Sequence, residues 1–310
     1  DTATHVFFRF GDPMNVHGGV AAGEFQLFKY GPLAYRGGHY ASYDSSPDQY
    51  HRNCISANVV LFTDPNNPKD RGDQRTRRGL KSDITTWNDW LSLRKRNGHD
   101  VAKILTWKTG KKESRCRADL TRSIPESKRK LWIREVVWLA NTHLVVLDLV
   151  ETPKKEVRRQ WQMHLTSRPE LGNRLFTVES RSRATDWKNA SLEPGDPRGR
   201  MVCQTLLPAK YSIVLNHDKK AEGFDSKGKS SGDAKGNRYH LRHGKTVIQL
   251  DAGMDSPQTV FLHVLTATHA DNKNVPAATV KRVAADTLEV HVGDAATRLQ
   301  VPELATASLK

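Results

Sequence analysis

HLVVLDLVE, residues 143–151, is the stretch on which the reading of this chain turns. Val145–Leu149 is almost continuously apolar, as expected of a strand lying deep in a stack of sheets rather than on a half-exposed surface. A few residues on, RRQWQMHL (158–165) behaves differently: Trp161, Met163 and Leu165 alternate with Gln162 and His164. That period of two is the signature of a strand with one buried face.

Working outward, further strands are expected at Val6–Phe10, Glu24–Tyr30, Asn58–Phe62, Lys103–Trp107, Leu131–Leu139 and His143–Val150. The series continues through Arg159–Leu165, Met201–Leu206, Tyr211–Leu215, Lys245–Leu250, Val260–Leu265 and Thr287–Val292. Only Ile84–Leu93 reads as a helix, and a short one. Many strands separated by Gly, Pro and Asn turns predict an all-β fold of stacked antiparallel sheets, a multilayer β-sandwich.

Two polar segments interrupt this pattern. TDPNNPKDRGDQRTRRGLK (63–81) is a long basic loop, either functional or an exposed insertion. KKAEGFDSKGKSSGDAKGN (219–237) has the Gly/Ser/Lys composition of a flexible connection. The expected division is a main β region over 1–218, this connection, and a smaller β region over 238–310. A long hairpin loop inside one domain is the alternative.

The 310 residues carry 49 Lys and Arg against 34 Asp and Glu, a net charge of +15, which suits a polyanionic partner. Mean hydropathy is −0.65, and no apolar run approaches the roughly 20 residues that span a bilayer. DTATHVFFRF (1–10) has neither a basic start nor a cleavage site, so no signal peptide is expected within it. Cys54, Cys116 and Cys203 form no CxxC pair and no even framework, which leaves buried thiols or a single disulfide.

No phosphate-binding loop, dinucleotide fingerprint, HExxH or GxSxG motif is present, and the lone cysteines exclude a zinc ribbon. No nucleic-acid module accompanies the charge, so nucleic acid is not the expected partner. Among the histidines, His143, His263 and His291 lie inside strands and read as sheet residues. His17 instead precedes a strand and is followed by Gly18 and Gly19, which leave its ring accessible.

HGGVAAGEF (17–25), GPLAYRGGHY (31–40) and ISANVVLFTDP (55–65) follow one another in the order and spacing of the heparinase II/III-like polysaccharide lyases, which the chain resembles. Softer matches extend the likeness: 117–139, HLVVLDLVE, RRQWQMHL, CQTLLP (203–208) and VFLHVL (260–265). The resemblance implies a supersandwich-like β region whose relatives also carry an N-terminal α/α toroid, absent from this sequence. It implies β-elimination on an acidic polysaccharide, with His17 at the family's catalytic histidine and the catalytic Tyr and carboxylate-neutralising group on the toroid. Asn15, Arg36, His39, His51 and Asn58 are the substrate contacts expected on the same basis. A secreted or periplasmic location is implied too.

Departures from the family pattern are equally specific. Several relatives hold a structural zinc at positions occupied here by Gly19, Arg36 and Ala57, so no metal or other cofactor is expected. Ala21 also replaces an Asp. A catalytically inactive pseudo-lyase, or a carbohydrate-binding module for acidic glycans, is therefore the alternative reading.

Overall fold

The computed structural model describes residues 3–11, 21–37, 53–74, 86–96, 100–180, 196–217 and 246–302. These build three antiparallel sheets in stacked layers, and the all-β sandwich expected from the sequence is what is found.

The first sheet contains β1 (Thr4–Arg9), β2 (Glu24–Lys29), β3 (Pro32–Ala34), β4 (Val60–Thr63), β9 (Arg158–Leu165), β13 (Ser212–His217) and β14 (Thr246–Asp251). Its order is β1-β2-β3-β9-β14-β13, with β4 also paired to β9. The middle sheet has eight strands. They are β5 (Lys103–Lys108), β6 (Glu113–Asp119), β7 (Leu131–Leu139), β8 (His143–Glu151), β10 (Glu170–Gly172), β11 (Leu175–Glu179), β12 (Gly199–Leu207) and β15 (Gln258–His269), ordered β10-β11-β12-β15-β8-β7-β6-β5. A third sheet is formed by β16 (Ala278–Ala284), β17 (Thr287–Val292) and β18 (Ala295–Gln300).

Layering accounts for the opening stretch. Leu144, Val146 and Val150 of β8 join Trp132, Phe261, Trp161 and Phe25 in a core between the first and middle sheets. Val145, Leu147 and Leu149 pack on the other side with Val290 and Leu299 of the third sheet. A strand buried on both faces has no polar side to display, hence an apolar run from Leu144 to Val150 broken only by Asp148, which is itself buried and paired with Arg134.

β9 departs from expectation. Its apolar row enters the core, but Gln162 and His164 are buried as well. The turn Cys54–Ser56 and the residues after it lie over this second face, and Gln162 Nε2 donates to the carbonyls of Ile55 at 3.0 Å and Ala57 at 2.9 Å. Period two therefore marks the chemistry of the two faces and not their exposure.

β14 and β15 follow the 219–237 stretch, which lies outside the described residues, and they sit within the two large sheets. Segments 1–218 and 238–310 are thus hydrogen-bonded together: β14 pairs with β9 and β13, and β15 with β8 and β12. The part that forms a sheet of its own is Ala278–Gln300.

Where a helix was expected over Ile84–Leu93, α1 spans Trp87–Arg96, started by Thr86, whose hydroxyl accepts from Asp89 N while its own N–H donates to the Asp89 carboxylate. Cys54, Cys116 and Cys203 are free and buried. No helix among the described residues is long and apolar enough to cross a membrane. The edge strand β5 is exposed along its whole length, Ile104, Leu105 and Trp107 included.

Candidate functional site

The start of β2, the end of β3 and the 53–58 turn converge over β9. Tyr35 N donates to His164 O at 3.1 Å, and Gly37 N to Ser56 O at 2.7 Å, which holds the segment after β3 against the turn. Arg36 lies between these two anchors. Its Nε donates to Ser56 Oγ (3.0 Å), Nη1 to Glu24 Oε2 (3.0 Å) and Nη2 to Asn53 O (3.3 Å). Ser56 Oγ in turn donates to Asn53 O at 2.8 Å.

Glu24 opens β2 and is only 2% exposed, while Arg36 retains 17%. A carboxylate so buried requires a cation, since its hydration is lost. Across the β1–β2 pair Glu24 stands opposite Arg9. Burial lowers the Arg9 pKa from its ordinary value, Arg36 lowers it further, and Glu24 opposes the change. Two guanidinium groups thus surround one carboxylate, leaving a net positive charge.

The neighbouring titrations follow from burial. Tyr35 is pushed up, first by desolvation and then by Glu24, so its phenol stays protonated at neutral pH. His164 is pushed down to about 3 by burial and then by Arg36, so it is a neutral structural ring and not a proton carrier.

The expected site residues separate clearly. His17, Asn15, His39 and His51 lie outside the described residues. The connection bearing Asn15 and His17 runs from Arg9 to Glu24, the two residues paired across β1 and β2. Arg36 is held by protein acceptors. Asn58, expected as a substrate contact, is fully buried: its Nδ2 donates to Phe25 O at 2.8 Å and its Oδ1 accepts from His164 N at 2.7 Å. It pins β2 to β9, and its amide has no face left for a ligand.

Glu24, Arg9 and Ser56 were not singled out in the sequence. Opposite charges in register across a hairpin would have marked the first two, but the 14-residue connection between Arg9 and Glu24 conceals that register.

The zinc implied by the resemblance does not fit these residues. Arg36 is a permanent cation with no lone pair to offer, Ala57 presents a buried methyl, and Gly19 has no side chain. Among the described residues no three His, Cys, Asp or Glu side chains cluster to hold a metal.

Neither a protein-family model nor a curated protein sequence matches the chain. Solved structures do. A heparinase III gene product aligns over 97% of this chain and 41% of its own, at 12% identity and a TM-score of 0.56. The heparan sulfate lyase HepC from Pedobacter heparinus aligns over 97% and 39%, at 12% identity and 0.57. A further heparinase III aligns over 92% and 36%, at 9% identity and 0.52. The chain spans about two-fifths of the length of these structures, and over that part it shares their fold.

Proposed function

We propose that this chain is the β-sheet part of a polysaccharide lyase acting on a uronate-containing glycan by β-elimination. The observation that carries the reading is the fold likeness, over nearly the whole chain, to structures named as heparinase III and heparan sulfate lyase. The net charge of +15 suits the same acidic substrate.

In β-elimination a base removes the proton from C5 of the uronate. The electron pair of that C–H bond becomes the C4=C5 double bond, and the C4–O bond breaks with its pair leaving on oxygen, which takes a proton. Positive charge near the carboxylate stabilises the enolate-like transition state. His17 is the proton-transfer residue in this scheme, since an imidazole titrates near neutrality and serves as acid or base. Arg9, where the connection bearing His17 begins, and Arg36, bonded to Glu24 where that connection ends, keep the field there positive. A helical toroid supplies the remaining acid and the carboxylate clamp, and the protein acts in the periplasm or outside the cell.

The test is release of ultraviolet-absorbing unsaturated uronate from heparan sulfate by this chain joined to a helical toroid. Replacing His17→Ala should lower turnover by about 10²–10⁴-fold, and the isolated 310-residue chain should release little or none. An unchanged rate removes His17 from the mechanism. Glycan binding without product from the joined protein favours the carbohydrate-binding reading.

A further inference from the structure

We propose that the Arg36 guanidinium takes the place of a structural metal ion in this chain, cross-linking β2, the end of β3 and the 53–57 turn. The inference rests on the same family correspondence as the lyase reading, through the positions of Arg36 and Ala57. Its content lies in contacts of this chain alone.

A zinc site gathers lone pairs from several segments around a cation; here the cation is a side chain and the lone pairs come from different residues. Glu24 Oε2 belongs to β2, while Ser56 Oγ and Asn53 O belong to the turn, and Arg36 reaches all three from the segment after β3. A guanidinium suits this use because its five N–H donors are fixed in a plane and it is not deprotonated in proteins. Glu24 is the counter-charge: nearly fully buried, it is compensated from within the chain. Its second oxygen accepts from Gln26 Nε2 at 3.2 Å, so both carboxylate oxygens are engaged. The backbone closes the same three-way junction through Gly37 N and Ser56 O, so the guanidinium reinforces contacts already made there. With Arg9 on the neighbouring strand, the cluster also keeps a positive charge where an ion would have supplied it.

The experiment has two arms on the 310-residue chain. Elemental analysis should find no stoichiometric zinc, and EDTA should leave the melting temperature unchanged; bound zinc or an EDTA-lowered melt overturns the proposal. Arg36→Met should lower the melting temperature by about 5 °C or more, because it takes from the buried Glu24 carboxylate its bonded cation and leaves only Gln26 and the field of Arg9. Glu24→Gln added to Arg36→Met should recover part of that loss. An unchanged melt in Arg36→Met overturns the cross-link. If that variant does not fold, the metal and EDTA arm on the unmutated chain still decides. None of these readouts is turnover, so failure of the lyase reading is separately visible.

Discussion

The rings of Trp161, on β9 of the first sheet, and His263, on β15 of the middle sheet, stack across the core with centroids 3.9 Å apart. His263 Nδ1 lies 3.2 Å from Thr205 Oγ1, and the ring is fully buried. Burial, then the Arg134 charge, pushes its pKa down to about 3.

Mild acid should therefore destabilise this protein from about pH 6.5 downward. His164 and His263 both have folded pKa values of about 3, against about 6.5 when unfolded. Between those limits the unfolded chain binds protons that the folded chain refuses, so stability falls as pH drops below roughly 6.5, by up to about 1.4 kcal/mol per pH unit for each ring. Asp73, pushed up to about 6 by burial, has the opposite sign between pH 6 and 4 and offsets one of the two. Urea midpoints measured from pH 7.5 to 4 should fall with a net slope of about one proton. A flat profile would exclude the buried neutral state of both rings.

Arg134 and Asp148 form a fully buried ion pair between neighbouring strands, with Nε–Oδ1 2.7 Å and Nη2–Oδ2 2.8 Å. Arg134 also donates to the carbonyls of Gly23 and Asn58, and Trp132 Nε1 donates to Asp148. Asp148→Ala should cost roughly 3–5 kcal/mol, because a guanidinium is left buried without its partner. Equilibrium urea unfolding measures this; a loss below 1 kcal/mol would mean that water reaches the site.

Gly199 begins β12 directly beneath β2. A Cβ there would lie 1.8 Å from the Lys29 carbonyl oxygen, a backbone atom that cannot turn aside. Gly199→Ala should lower the melting temperature by several degrees, whereas Gly11→Ala, with no atom within 4 Å of its added carbon, should not. Equal melts would indicate that β2 and β12 slide apart at no cost.

Charge around the β5–β6 hairpin divides by pairing. Arg115 and Arg117 are bonded to Glu135, and both also donate to carbonyls of β18, so they tie the middle sheet to the third. Lys108, Lys111 and Lys112 are exposed. Affinity for heparin should drop steeply with added salt, since exposed charges are screened beyond about 10 Å at 0.1 M. Lys111→Glu with Lys112→Glu should weaken heparin binding without changing the melt; Arg117→Gln should do the reverse. Salt-independent binding would point to a neutral sugar held by stacking and hydrogen bonds.

Strands whose burial is one-sided or two-sided by apolar residues were readable from sequence: Leu131–Leu139 and Thr287–Val292 coincide with their expected bounds. Glu113–Asp119 was not, because ESRCRAD carries charges at alternate positions whose partners, Glu135 on the neighbouring β7 and Thr297 on the third sheet, leave no local mark. Edge strands such as Ala278–Ala284 and Ala295–Gln300 lacked an apolar face strong enough to mark them. At the candidate site, Arg36 stood out as a departure from a pattern, but its role depends on Glu24, twelve residues earlier. Asn58 was misassigned because an Asn beside a strand looks the same whether it binds a ligand or fastens two strands. Only the pairing of β2 with β3 and of β3 with β9 distinguishes these cases, and pairing between distant segments has no local sequence signal.

The position of β15 bears on how the chain can be made. It lies between β12 and β8, so the middle sheet has a gap at its centre until residues 258–269 have emerged from the ribosome. Until then β8 presents an unpaired, apolar edge, the kind of surface that recruits strands from other chains. Synthesis therefore leaves the seven earlier strands of the middle sheet waiting on a late segment, and a premature stop before β15 yields a product for chaperones or proteases rather than a smaller version of the same sandwich.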